Sequence, residues 1–375
     1  MDTDTTTSPL VILGLDAGDH GLIERWAREG YLPTIASIMQ RGCWGKTAGP
    51  ELISEHGVWV SLFSGLSRGQ HGYYYFRQLR PGTYDLENVT GDDVEAPPFW
   101  SSLAGSGKRV AIVDAREIPP RRGLDGVQLA NWAEHSWAPK DAAFQVRSEP
   151  ADLVREVRRA VGPQIPVYEN LHASVRQDRQ FHRRLLQRIE RKGAVCRYLT
   201  GRDRFDLVVA VFTESHWAGH QFWRYRPEAL PADPPPAADA LAHAIRDVYQ
   251  AIDRQLGLLL ATLSPRANVF VVSSVGMEDH YPTGGLVEAL CRQLGYQATP
   301  EATSRPRTPL ALARRALPEA VRIALSRHLP RDSRERLLAD QFRDGTDWTK
   351  TTAFAIPSAY TSFPRVNLEG REPRG

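Results

Sequence analysis

Cysteine is nearly absent from these 375 residues: there are three, Cys43, Cys196 and Cys291. They are widely spaced and odd in number, with no C-x-x-C pair and no Cys/His zinc spacing. That excludes a disulfide framework and a zinc-ribbon module, and fits a reduced, cytoplasmic protein. Lysine is also scarce, five among 47 basic residues, so nearly all the positive charge is arginine. This bias suits either a GC-rich genome or a preference for oxyanions. No sign of charge dominates: 47 basic against 44 acidic residues leave +3, too balanced for a dedicated nucleic-acid binder. No apolar run nears the length of a membrane span. The threonine-rich, acidic start, Met1 to Pro9, lacks the basic n-region of a signal peptide. No internal repeat is visible.

What remains is ample for a core, with 42% hydrophobic and 9% aromatic residues. Short apolar runs at Leu10–Leu15, Arg109–Asp114, Val127–Ala130, Leu207–Phe212 and Val269–Val272 read as buried strands. Between them lie helical patterns: Gly21–Glu29, Pro33–Arg41, a short helix carrying Val58, Leu62 and Phe63 and ending at Gly65, and one opened by Pro98-Phe99-Trp100. Two long amphipathic helices come later in the chain. One, Asp178–Leu199, carries the stripe Phe181, Leu185, Ile189, Cys196 and Leu199; the other runs from Leu241 to Leu263. Tyr73–Phe76 suggests a strand or a packed aromatic segment. Strands alternating with helices predict an α/β fold, a mainly parallel central sheet with helices on both faces. One domain over 1–375 is expected, with a cap or insert around 300–345, where the chain is arginine-rich and punctuated by proline.

Several segments carry a resemblance. "VILGLDAGDHGLIERWAREGYLPTIASIMQRG", "WVSLFSGLSRGQHG", "PPFWSSLAGSGKRVAIVDA", "DLVVAVFTESHWAGHQFW", "DWTKTTAFAIP" and "VNLEGREPRG" succeed one another in the order found in the type I phosphodiesterase/nucleotide pyrophosphatase branch of the alkaline phosphatase superfamily, which the chain resembles. The resemblance implies an alkaline phosphatase-like fold. It also implies two divalent metal ions, usually zinc (iron and manganese are the other candidates), at the C-terminal edge of the sheet. There, a Ser or Thr nucleophile and the oxygens of a phosphate or sulfate ester would bind. In similar proteins "NLEGREPRG" is followed by a stretch carrying a last metal-binding histidine, whereas this sequence ends at Gly375. The C-terminal part of the family domain therefore looks absent. The alternatives are a naturally short member, an incomplete chain, or a partner chain or second copy supplying the rest.

Asp16 fits the first metal ligand: a carboxylate directly after a buried strand is costly unless paired or coordinated. A helix cap or a structural hydrogen bond is the other reading. Asp19 and His20 lie close by and are weaker candidates. Counting back from Trp59, the family nucleophile falls on Glu55, with Ser54 one residue earlier. The catalytic candidates are therefore Ser54 as nucleophile, and Glu55 and His56 for proton transfer; Ser54 could equally be an N-cap. His216 and His220, four apart, share one face of a helix, a spacing that suits two imidazoles on one metal. Glu214 stands two residues before His216. The resemblance fails after the fifth strand. Similar proteins carry Asp-His before Gly-Met, and this chain reads Ser273-Ser274-Val275-Gly276-Met277. Asp279 and His280 are candidates to compensate. The standard two-metal site is therefore broken, and one metal, a rearranged site, or none is expected.

The expected function is a metal-dependent hydrolase or transferase acting on a phosphate or sulfate ester or diester of a small molecule, with no nucleic-acid or membrane partner. A non-hydrolytic binding or scaffold protein that keeps the fold is the alternative, and different metal chemistry in a rearranged site is a third.

Overall fold

The computed structural model describes residues 8–47, 56–133, 145–168, 170, 173–279, 285–301, 331–358 and 361–375. Two compact units emerge. The first comprises Met1–Tyr74 and Thr90–Asp279, the second Tyr75–Val89 and His280–Gly375.

The first unit is built on a six-stranded sheet. Its strands are β1 (Leu10–Leu15) and, numbering along the chain past β2 (Arg77–Leu79) and β3 (Leu86–Asn88) of the second unit, β4 (Arg109–Val113), β5 (Asp125–Ala130), β6 (Arg147–Glu149), β7 (Leu207–Phe212) and β8 (Asn268–Ser273). The spatial order is β6-β5-β4-β7-β1-β8. Every pairing is parallel except β5 with β6. The chain is thus a mixed α/β protein with a mostly parallel central sheet, as its strand–helix alternation requires. β6, a three-residue antiparallel edge, is too short to carry a periodic signal.

Helices cover both faces. On one side Val11, Leu13 and Leu15 of β1 and Val208, Ala210 and Phe212 of β7 pack into a single core cluster with α6 (Val175–Thr200) and α9 (Ala244–Leu260). The start of α6 is fixed by a capping box: Ser174 Oγ accepts from Gln177 N, and Gln177 Oε1 accepts from Ser174 N at 2.8 Å. That box starts the helix three residues before the expected Asp178. On the other face Gly14 of β1 gives room to Trp59 of α3 (Val58–Ser64): a Cβ on Gly14 would lie 2.7 Å from the indole and 2.9 Å from Val211. The remaining helices of this unit, among the described residues, are α1 (His20–Arg28), α2 (Pro33–Arg41), α4 (Arg68–His71), α5 (Leu153–Val161), α7 (Glu214–Phe222) and α8 (Pro236–Asp239). The segment opened by Pro98 is a 3-10 turn, Phe99–Leu103, and Tyr73–Phe76 is packed aromatic chain that precedes β2.

The second unit holds two antiparallel pairs, β2 with β3 and β9 (Ala353–Ile356) with β10 (Phe363–Val366). Its small core joins Leu79, Tyr84, Phe342, Phe354 and Ile356. Of the suggested insert around 300–345, residues 302–330 lie outside the described residues; Arg331–Asp344 is a helix.

Candidate active site

The parallel strands β1 and β7 end side by side, so the residues just after each strand share the C-terminal edge of the sheet. Asp16 comes directly after β1 and is 1% exposed. Thr213 comes directly after β7, and the chain turns straight into α7, which presents His216 and His220 on consecutive turns.

Asp16 Oδ2 accepts from His216 Nδ1 at 2.8 Å, and His216 Nε2 lies 3.1 Å from His220 Nε2. Trp59 Nε1 donates to Asp16 Oδ1 at 2.7 Å, and Ser274 Oγ donates to the same oxygen at 3.0 Å. Arg116 Nη1 stands 3.4 Å from Oδ2. Burial alone would push the Asp16 carboxyl up. The Arg116 guanidinium, His216 and the Trp59 N–H outweigh it and hold the group well below the usual carboxylate range. Asp16 is therefore an anion at neutral pH. Because a carboxylate only accepts, His216 carries a proton on Nδ1, and its Nε2 faces His220.

A second group lies where α3 begins. Glu117 Oε2 accepts from Gly57 N at 3.2 Å, and Oε1 accepts from Tyr73 Oη at 3.3 Å. His56 Nδ1 stands 3.6 Å from Glu117 Oε1, while the His56 carbonyl accepts from Arg68 Nε at 2.9 Å. A histidine beside a carboxylate is the pairing that general acid–base chemistry uses, and at 3.6 Å it needs a small approach to close. Ser61 Oγ and His71 Nε2, 2.9 Å apart, complete the surroundings.

The remaining candidates have other partners or fall outside view. Glu214 is fully buried and takes Arg188 Nε at 3.2 Å, within a charge cluster that also contains Lys192 and Asp114. Asp19 caps α1, accepting from Leu22 N at 2.8 Å and Met277 N at 3.2 Å. His20 begins α1, its ring beside Trp44. Asp279 accepts from Trp223 Nε1 at 2.8 Å and Arg226 Nη2 at 2.7 Å, so its carboxylate is engaged at the surface and does not join the Asp16 group. Ser54, Glu55 and His280 lie outside the described residues.

The donors can be tested against a divalent metal. Two ligands on a tetrahedral ion with bonds of about 2.05 Å are about 3.3 Å apart. The His216 and His220 Nε2 atoms, 3.1 Å apart, fit that spacing. Asp16 does not fit as a ligand, because three hydrogen bonds and the Arg116 ion pair already engage its two oxygens. It fits instead as the carboxylate that orients a ligating histidine. Among the described residues no group of three or more His, Cys, Asp or Glu side chains gathers as a metal site.

The sequence reading missed Trp59, Arg116 and Glu117. The one signal available for the last two was their position, on the loop after a buried strand.

A model of the type I phosphodiesterase / nucleotide pyrophosphatase family matches residues 10–308. Among solved structures, phosphonoacetate hydrolase from Sinorhizobium meliloti 1021, in complex with phosphonoformate, is similar at 14% identity and a TM-score of 0.45; the match covers 80% of this chain and 66% of that one. No curated protein matches. With four fifths of its length under one family model, this chain belongs to the type I phosphodiesterase / nucleotide pyrophosphatase family.

Proposed function

We propose that this chain is a phosphoester hydrolase of the alkaline phosphatase superfamily working with a single divalent ion, zinc before iron or manganese, on a small-molecule ester or diester. The observation that carries the reading is the pair of Nε2 atoms 3.1 Å apart at the strand edge, backed by the ionised Asp16. Family membership supports the phosphoester as substrate class. His216 and His220 would hold the ion, which supplies Lewis acidity toward a phosphoryl oxygen or a bound water.

The protein's own groups do the rest. Asp16 keeps the His216 proton on Nδ1 and its ring in one orientation. Glu117 steadies the start of α3 and stands behind His56, which moves a proton at Nδ1 or Nε2. Ser54 is the candidate nucleophile, with Glu55 beside it as a further proton carrier; a phosphoserine trapped at Ser54 separates this route from direct attack by water. The three cysteines, none in a disulfide, suit a cytoplasmic setting. The test is turnover of nucleotide diesters, pyrophosphates and aryl phosphates by protein loaded with zinc, manganese or iron. Turnover that disappears in His216→Ala supports the reading, and metal-loaded protein inert toward all of them sinks it.

One observation favours a second reading, a fold-retaining binding protein. Ser274 bonds to Asp16 and Val275 has no ligating atom, so the strand end after β8 offers no strong metal ligand. Protein that takes up no metal and turns over no ester would establish that alternative.

A further inference from the structure

We infer that the positive charge facing Asp16 is supplied by Arg116 and not by a metal ion, so that the site combines one ion at most with one built-in guanidinium. The inference deepens the single-ion reading but concerns only the Asp16 side, and it stands or falls separately.

Three observations carry it. First, both oxygens of Asp16 are already engaged: Trp59 and Ser274 donate to Oδ1, His216 donates to Oδ2, and Arg116 pairs with Oδ2 at 3.4 Å. An ion bonding to either oxygen would have to displace one of them. Second, Arg116 is itself 7% exposed, so its charge is built into the interior. A guanidinium stays charged at any physiological pH and is more weakly hydrated than an ammonium, which suits it to a buried ion pair. Third, the loop that delivers Arg116 is clamped on both sides in a costly conformation. Asp114 has φ +50° and Glu117 has φ +62°, two non-glycine residues in the left-handed region within four positions. Such strain persists where the surroundings over-determine it, and it collects at functional sites. Asp114 is held by Lys192 Nζ at 2.9 Å and by the Trp132 and Ala133 amides at 2.8 and 2.9 Å. Glu117 is held by Gly57 N and Tyr73 Oη. Between these two anchors the loop aims Arg116 at Asp16.

Ser274 belongs to the same arrangement. Its hydroxyl accepts from Ala17 N at 2.9 Å and donates to Asp16 Oδ1, filling with a neutral hydrogen bond a position from which a carboxylate could have coordinated. In phosphoryl transfer, positive charge on two sides of the reacting group is what a pair of ions provides. Here one of those charges is covalently part of the chain and independent of metal supply.

The test counts zinc per full-length chain by mass spectrometry after saturation and removal of excess, with thermal melting as a check on folding. Wild type is expected to hold no more than one ion. Arg116→Lys is expected to hold the same number as wild type, while Asp16→Asn, which removes the carboxylate that orients His216 but no ligand, is expected to bind that ion about 10–100-fold more weakly without the complete loss expected of His216→Ala. Arg116→Ala combined with Ser274→Asp removes the guanidinium and adds a carboxylate, and should gain one ion over wild type. Two ions in wild type, or loss of zinc in Asp16→Asn as complete as in His216→Ala, overturns the inference. If wild type holds none, the single-ion reading falls, and a gain of one ion in the double variant still upholds the role of Arg116. If the double variant does not fold, the wild-type and Asp16→Asn counts decide alone.

Discussion

Asp16 and His216 are 200 positions apart in the chain and meet through a 2.8 Å bond between a buried carboxylate and an imidazole Nδ1. The parallel pairing of β1 with β7, Leu15 opposite Phe212, produces that meeting. The bond sets the tautomer of His216 and thereby the direction of the lone pair that the proposed chemistry needs.

The ionisation of Asp16 should appear in acid stability. Its folded-state pKa is lowered, so the group contributes stability that is complete above the ordinary carboxylate range and declines as pH falls below it. Proton counts give the sign: below pH about 4 the unfolded chain binds a proton at this position and the folded chain does not. Urea denaturation between pH 5 and 3 should therefore lose up to about 1.4 kcal/mol more per pH unit in wild type than in Asp16→Asn. Equal slopes for the two proteins would show that Asp16 is not held as an anion.

Gly14→Ala should destabilise the first unit by about 1–3 kcal/mol, because the added methyl overpacks the contact with Trp59 and Val211. It should also displace the indole that donates to Asp16, so metal affinity and any turnover should fall with stability. A Gly14→Ala protein with unchanged melting and unchanged metal affinity would contradict that packing.

Much of this arrangement was legible in the sequence. β1 and β7 are continuous apolar runs, and runs of that kind belong to strands buried in a parallel sheet; β8 is as apolar but lies at the sheet's edge with none of its residues buried. Asp16 could be singled out because a carboxylate at such a strand end needs a partner. His216 and His220 could be paired because four residues is one helical turn. Trp59 could not be placed, since an indole on a short helix reads as core, and only the missing side chain at Gly14 brings it to Asp16. Arg116 was hidden among many arginines that are ordinarily solvated, and burial is not written in residue type. Asp279 looked available because it lies close behind the strand end, but Arg226 and Trp223 reach it first.

Lys192→Met tests the buried charges under the site. Lys192 is fully buried and pairs with Asp114 at 2.9 Å. Burial opposes its charge, but Asp114 and Glu214 raise its pKa, so the pair is intact at neutral pH and weakens only as pH rises past the folded value. Removing the ammonium leaves a buried carboxylate uncompensated and should cost about 3–5 kcal/mol. Lys192→Met with Asp114→Asn should recover part of that loss, since asparagine tolerates the left-handed backbone at this position. A single variant as stable as wild type would contradict the account of the loop that carries Arg116.

The most direct measurement is zinc content and phosphodiester turnover, side by side, for wild type, His216→Ala, His220→Ala and His20→Ala. His20 is the control, since it starts α1 and takes no part in the Asp16–His216–His220 array. The account predicts one ion per chain in wild type and in His20→Ala, loss of that ion in both of the other variants, and turnover lost with it. Equal metal content in His220→Ala and His20→Ala, or turnover that survives removal of His216 and His220, would contradict it.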